Sequence, residues 1–99
     1  MKIAYLIYLD VLEDRVTKLL NDCDIQSYFE WENVAGKFRG QEGHFGTRAY
    51  PGLDKIKLIP TAREEKFEKL ISLIKEFNDS ITKKSDEIRM YLLPLEQII

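Results

Sequence analysis

The residues best suited to chemistry crowd into positions 36–52, which hold all five glycines, the single histidine His44 and the cations Lys37, Arg39 and Arg48. Glycine reaches backbone angles closed to other residues and lets a ligand approach the main chain closely. Clustered amides flanked by Lys37, Arg39 and Arg48 can hold an anion through backbone concavities and charge-assisted hydrogen bonds. The spacing Gly36-x3-Gly40-x2-Gly43-x2-Gly46 fits neither the dinucleotide-binding fingerprint nor the P-loop, which needs Lys followed by Ser or Thr at a helix start; here Lys37 precedes Phe38. Nucleotide hydrolysis of the P-loop kind is excluded.

His44 alone supplies one metal ligand where a tight site wants three or four. A metal centred on it needs ligands from another subunit, with Glu42 or Glu32 helping. Glu30 and Glu32 alternate along one run and superficially suggest a two-carboxylate acid/base pair. Such alternation ordinarily marks the solvated side of a strand, and nothing in the spacing splits their pKa values. No Ser-His-Asp or Cys-His arrangement is specified, so the chemistry expected is binding, not catalysis. Cys23 has no partner for a disulfide and reads as a small buried hydrophobe at a helix end.

Five glycines in 17 positions make a long loop, and the elements on either side must hold its roots. Residues 2–9 (Lys-Ile-Ala-Tyr-Leu-Ile-Tyr-Leu) are short, apolar and rich in β-branched and aromatic types, which predicts a central strand covered on both faces. Asp10 stands where an N-cap should. Leu12, Val16, Leu19, Leu20 and Cys23 then recur at helical spacing, ending near Asp22 to Asp24. Residues 27–35 alternate with period two and predict a second strand leading into the loop. Residues 54–59, with Lys55, Lys57 and Ile59 on one side and Ile56 and Leu58 on the other, predict a third that pairs with it. Thr61 and Glu64 read as a capping box. Phe67, Leu70, Ile71, Ile74 and Phe77 form the stripe of a second helix, and residues 88–93 predict a fourth strand stopped by Pro94.

The order βαββαβ makes residues 1–99 a single α+β ferredoxin-like domain, a four-stranded antiparallel sheet with two helices on one face. The other face is left bare, and with an apolar terminal segment at residues 95–99 it predicts self-association. Seventeen acidic and fifteen basic residues give a net charge of -2. No basic footprint for a nucleic acid follows. No apolar run reaches the roughly 20 residues that span a bilayer, and the N-terminal segment lacks the features of a signal peptide; a cytoplasmic location without membrane insertion is expected.

Three segments give a family resemblance. Strand one with its helix resembles the PII signal-transduction superfamily in pattern. Gln41-Glu42-Gly43-His44 is similar to the Gln-Lys-Gly-His that opens the family's T-loop. Residues 91–99, Tyr-Leu-Leu-Pro-Leu-Glu-Gln-Ile-Ile, resemble the family's last strand and the Val-Leu-Pro-Val-Glu segment after it, and residues 43–52 resemble short-loop relatives with a Gly-Thr-His-x-Trp-Pro-Gly run. The resemblance implies a homotrimer with ligand clefts between subunits, adenine nucleotide as a possible ligand, a transporter or enzyme as target, and regulation rather than catalysis. Lys37, Arg39, Gln41, His44 and Arg48 are the expected ligand- or target-contacting residues. Residues 82–87 depart from the family in having no glycine where its phosphate-binding loop is glycine-rich. The alternative is a divalent-metal protein of CutA-like or efflux-associated type, centred on His44.

Overall fold

A computed structural model describes residues 1–36, 53–60, 62–83 and 86–99. Strand β1 (Lys2–Leu9) alternates from Ile3 to Tyr8: Ala4, Leu6 and Tyr8 are buried, whereas Ile3, Tyr5 and Ile7 are half-buried. It is therefore central but covered on one face within the chain, not on both as its unbroken apolarity predicts. The apolar side chains of the second face lie on the sheet's open side.

The chain leaves β1 through a 3-10 turn, Asp10–Leu12, and enters helix α1 (Glu13–Asp22). Asp10 does not cap the helix; the cap position is Leu12, with no side-chain hydrogen bond. At the other end Asp24 adopts φ 54°, the Ile25 amide donates to the Leu20 carbonyl and the Asp24 amide to that of Asn21. This is a Schellman stop, in which aspartate tolerates the left-handed angle glycine usually takes. It turns Ile25 into the core and covers Cys23, whose thiol burial pushes upward in pKa, with the Lys69 charge opposing. Cys23 is the small buried hydrophobe that its position predicts.

Strands β2 (Phe29–Val34), β3 (Asp54–Ile59) and β4 (Arg89–Pro94) complete one antiparallel sheet of order β2-β3-β1-β4. Helix α2 (Glu64–Ser80) returns the chain from β3 to β4. Its cap position is Arg63, without a side-chain bond, so Glu64 opens the helix and does not complete a capping box; Thr61 lies outside the described residues. Val16, Leu19 and Leu20 of α1 and Phe67, Leu70 and Ile74 of α2 meet Ala4, Leu6, Tyr8 and Ile59 in one core. The architecture is the ferredoxin-like βαββαβ arrangement with both helices on one side.

Among the described residues after α2, Ile88 is held in place by Asn78. Asn78 donates from its amide nitrogen to the Ile88 carbonyl and accepts from the Ile88 amide, both at 2.9 Å. The pair imitates a strand hydrogen-bonding edge and seats Ile88, which is buried, at the entry of β4. Asn78→Ala leaves both backbone groups unpaired in a half-buried setting and should lower stability by about 1–2 kcal/mol, read from urea unfolding.

Candidate functional site

Four described elements converge where the chain runs into and out of residues 37–52: the end of β1, the start of α1, the end of β2 and the start of β3. Gly36 is the last described residue before the loop. A Cβ there would lie 2.9 Å from the Asp54 Oδ2, so a larger residue at position 36 requires the Asp54 carboxylate to shift. The Asp10 amide donates to the Leu53 carbonyl at 2.7 Å, binding the return root to β1. Asp10 Oδ1 is buried with no hydrogen-bond partner among the described residues.

Beneath these roots sits a charged cluster. Lys57 is fully buried on the helix side of β3, the buried charged residue in a core of otherwise apolar side chains among the described residues. Its ammonium donates to Glu13 Oε1 at 2.7 Å and Oε2 at 3.0 Å, to Glu30 Oε1 at 2.8 Å and to the Tyr8 hydroxyl at 2.7 Å. It lies 4.8 Å from the Tyr28 ring centre and 5.4 Å from that of Tyr8, which adds favourable cation-π contact. Tyr8 in turn donates its hydroxyl to Glu13. The three ammonium protons are thus all accepted, the condition under which a buried charge is tolerated.

The cluster extends toward the rim. Lys55, one pleat nearer the loop, stands 3.5 Å from both Glu13 Oε1 and Glu32 Oε1. The result is a chain of alternating charge: Glu32, Lys55, Glu13, Lys57, Glu30. Glu30 and Glu32 are solvent-exposed, as their alternation predicts, but both also reach lysines of the neighbouring strand. Glu30 faces the helix layer as the register partner of Lys57, and Glu32, at the sheet's edge, reaches Lys55 while bordering the open face.

These contacts shift the acids and bases in consistent directions. Burial raises the Glu13 carboxyl, but hydrogen bonds from Lys57 and Tyr8 and the charges of Lys57 and Lys55 outweigh it and hold it below its ordinary 4.5. The Lys57 hydrogen bond does the same for Glu30, against the opposing effect of burial. Burial, the bond to Glu13 and nearby negative charge raise the Tyr8 hydroxyl far above its ordinary 10.0. Burial lowers Lys55, yet Glu13, Glu30 and Glu32 together raise it above 10.5. A carboxylate depressed by folding contributes stability above its unfolded pKa and loses it as pH falls through the folded value. Stability should therefore fall below about pH 4.5. Urea midpoints at descending pH should show a shallower fall in Glu30→Gln than in the unaltered chain.

The cluster provides no catalytic constellation. The Lys57 ammonium is engaged with Glu13, Glu30 and Tyr8, and burial with the bond to Glu13 keeps the Tyr8 hydroxyl protonated, so the tyrosine is no base near neutral pH. Among the described residues no group of three His, Cys, Asp or Glu side chains could hold a metal ion. The residues expected from the sequence to bind ligand, Lys37, Arg39, Gln41, His44 and Arg48, lie outside the described residues.

The second feature is the open face of the sheet. Tyr5, Ile7, Ile56, Trp31, Val34, Tyr91 and Leu93 line a broad apolar groove of about 680 Å³, bordered by Glu32. Phe29 adds a further ring, 67 % exposed. Tyr5 and Tyr91 are directly paired across β1 and β4 at its centre.

No protein-family model matches the chain, and no curated protein sequence matches it. Solved structures do match. CPII, a nitrogen regulatory PII-like protein from Thiomonas intermedia K12 bound to ADP, AMP and bicarbonate, superposes with a TM-score of 0.72 at 17% identity, over 93% of this chain and 82% of its own. The same protein bound to ADP and bicarbonate gives 0.70, also at 17% identity over 93% and 82% of the two chains. A chain from Thermus thermophilus described as a PII-like signalling protein gives 0.61 at 14% identity, over 93% and 83%. No helix among the described residues is long and apolar enough to cross a membrane. With its βαββαβ order, its single antiparallel sheet and these neighbours, the chain has the PII-like fold.

Proposed function

We propose that this protein is a PII-like regulator, not an enzyme. It assembles as a homotrimer through the open face of its sheet, binds an adenine nucleotide or another small anion at the clefts between subunits, and meets a target protein through residues 36–52. The observation that carries this reading is the likeness of nearly the whole chain to CPII bound to ADP and bicarbonate. The bare apolar face supports it, because contiguous apolar surface of this kind on a small domain marks an interface. Lys37, Arg39, Gln41, His44 and Arg48 are the proposed ligand- and target-contacting side chains, set on roots that the Lys57 cluster and the Asp10–Leu53 bond hold in place. A cytoplasmic regulator acting on a transporter or enzyme accords with this arrangement.

Titration calorimetry with ADP, AMP and bicarbonate tests the reading. Saturable ADP binding, lost or weakened at least tenfold in the Lys37→Ala/Arg39→Ala variant, is the expected result. Absence of nucleotide and bicarbonate binding by an assembled protein would overturn the ligand assignment. A response confined to Zn²⁺ or Cu²⁺ and lost in His44→Ala would favour the metal-binding alternative in its place.

A further inference from the structure

We infer that β2 is a detachable strand, held to the domain by the buried charge cluster rather than by apolar packing, so that breaking the cluster on one face of the sheet loosens assembly on the other. This rests on the proposed assembly through the open face.

The observations lie in β2 itself. It is an edge strand whose described neighbour is β3 alone. From Phe29 through Asn33 every residue is exposed, and only Val34 is partly covered. Toward the helix side its contribution is Glu30, bonded to Lys57, with Glu32 beside Lys55 at the edge between the two faces. The groups facing Glu30 are Lys57 and Lys55 from β3, Glu13 from α1 and Tyr8 from β1, so both attractive partners sit on β3. On the opposite side β2 carries Phe29 and Trp31, two of the largest apolar side chains of the open face.

The backbone attachment is also interrupted. Pairing runs through Phe29, Glu30 and Trp31, then shifts before resuming at Val34, and Asn33 at the shift has φ 59°. An edge strand with a broken ladder and little apolar burial is the kind of element that opens locally while the rest of a domain stays folded. What keeps it seated is the pairing of Glu30 with a lysine that has no water to turn to. Because side chains alternate along a strand, losing that tie frees Phe29 and Trp31 from the open face at the same time.

Hydrogen exchange and sedimentation equilibrium on Glu30→Gln, which keeps the side chain's shape and removes its charge, test the coupling. Amides of residues 29–34 should exchange at least tenfold faster, those of α2 should be unchanged, and self-association should weaken. Unchanged exchange in β2, or an equal acceleration in every element, overturns the inference. If Glu30→Gln does not fold, exchange in the unaltered chain decides: β2 must open at a lower free energy than β1 and α2, and uniform protection overturns the inference. A monomeric unaltered chain would remove the proposed assembly, whereas the exchange result would still decide whether the cluster holds β2.

Discussion

Lys57→Met should lower the unfolding free energy by about 3–5 kcal/mol, the usual consequence of removing one member of a buried ion group. The lysine is fully enclosed, and its loss would leave Glu13, Glu30 and the Tyr8 hydroxyl facing an apolar side chain. Both carboxylates retain some contact with water, with side-chain exposures of 29% and 33%, which places the loss toward the lower end. For a domain of this size, whose whole stability is on the order of 5–15 kcal/mol, that is a large share. The expected cause is specific. Combining Lys57→Met with Glu13→Gln and Glu30→Gln removes the orphaned charges and should recover most of the loss, because a buried ion group replaced as a whole by neutral side chains is often close to neutral in stability. Urea midpoints at constant slope measure both variants. A single variant that loses less than about 1 kcal/mol, or a triple variant no better than the single, would show that the cluster does not bear on stability in this way.

The elements themselves were legible because periodicity is local. The run at residues 2–9 and the stripe Phe67, Leu70, Ile74 state their structure in their own spacing, and both elements form where expected. Helix starts were less legible. Asp10 and Thr61 have the chemistry of caps, but α1 begins only after a 3-10 turn and α2 begins at Glu64 behind Arg63. The charged cluster was half legible. Glu30-x-Glu32 facing Lys55-x-Lys57 across a hairpin is a cross-strand signal of opposite charge, and Glu30 and Lys57 do pair. What the hairpin could not reveal was Glu13, which reaches across from the first turn of a helix 44 residues away in sequence and helps enclose the lysine of that pair. Taken one strand at a time, alternating charges read as a solvated face. The carboxylates of that face do stay exposed, and it is Lys57 that the layer above encloses.

Leu93→Asp and Trp31→Glu should each abolish the proposed assembly while leaving the fold intact. Both side chains stand on the open face, 44% and 49% exposed, and neither belongs to the domain's own core, so each change should lower the unfolding free energy by only about 1 kcal/mol. In an assembly they would be covered. Burying a leucine or tryptophan contributes about 1.5–3 kcal/mol, and a carboxylate in its place brings an unpaired charge into an apolar contact. A loss of about 3 kcal/mol at each interface already weakens association roughly hundredfold, at 1.4 kcal/mol per factor of ten. Light scattering at micromolar concentration should then return the 11.7 kDa monomer for both variants and a multiple of it for the unaltered chain. Glu68→Lys, on the exposed side of α2, is the control and should leave the mass unchanged. The two positions lie on opposite edge strands of the sheet. If only one variant dissociates the protein, the contact covers half the face and is a local one. If both do, the whole face is enclosed, and the central Tyr5 and Tyr91 lie inside the interface with it. An assembly that survives both substitutions would place the contact elsewhere and leave the open face to a different partner.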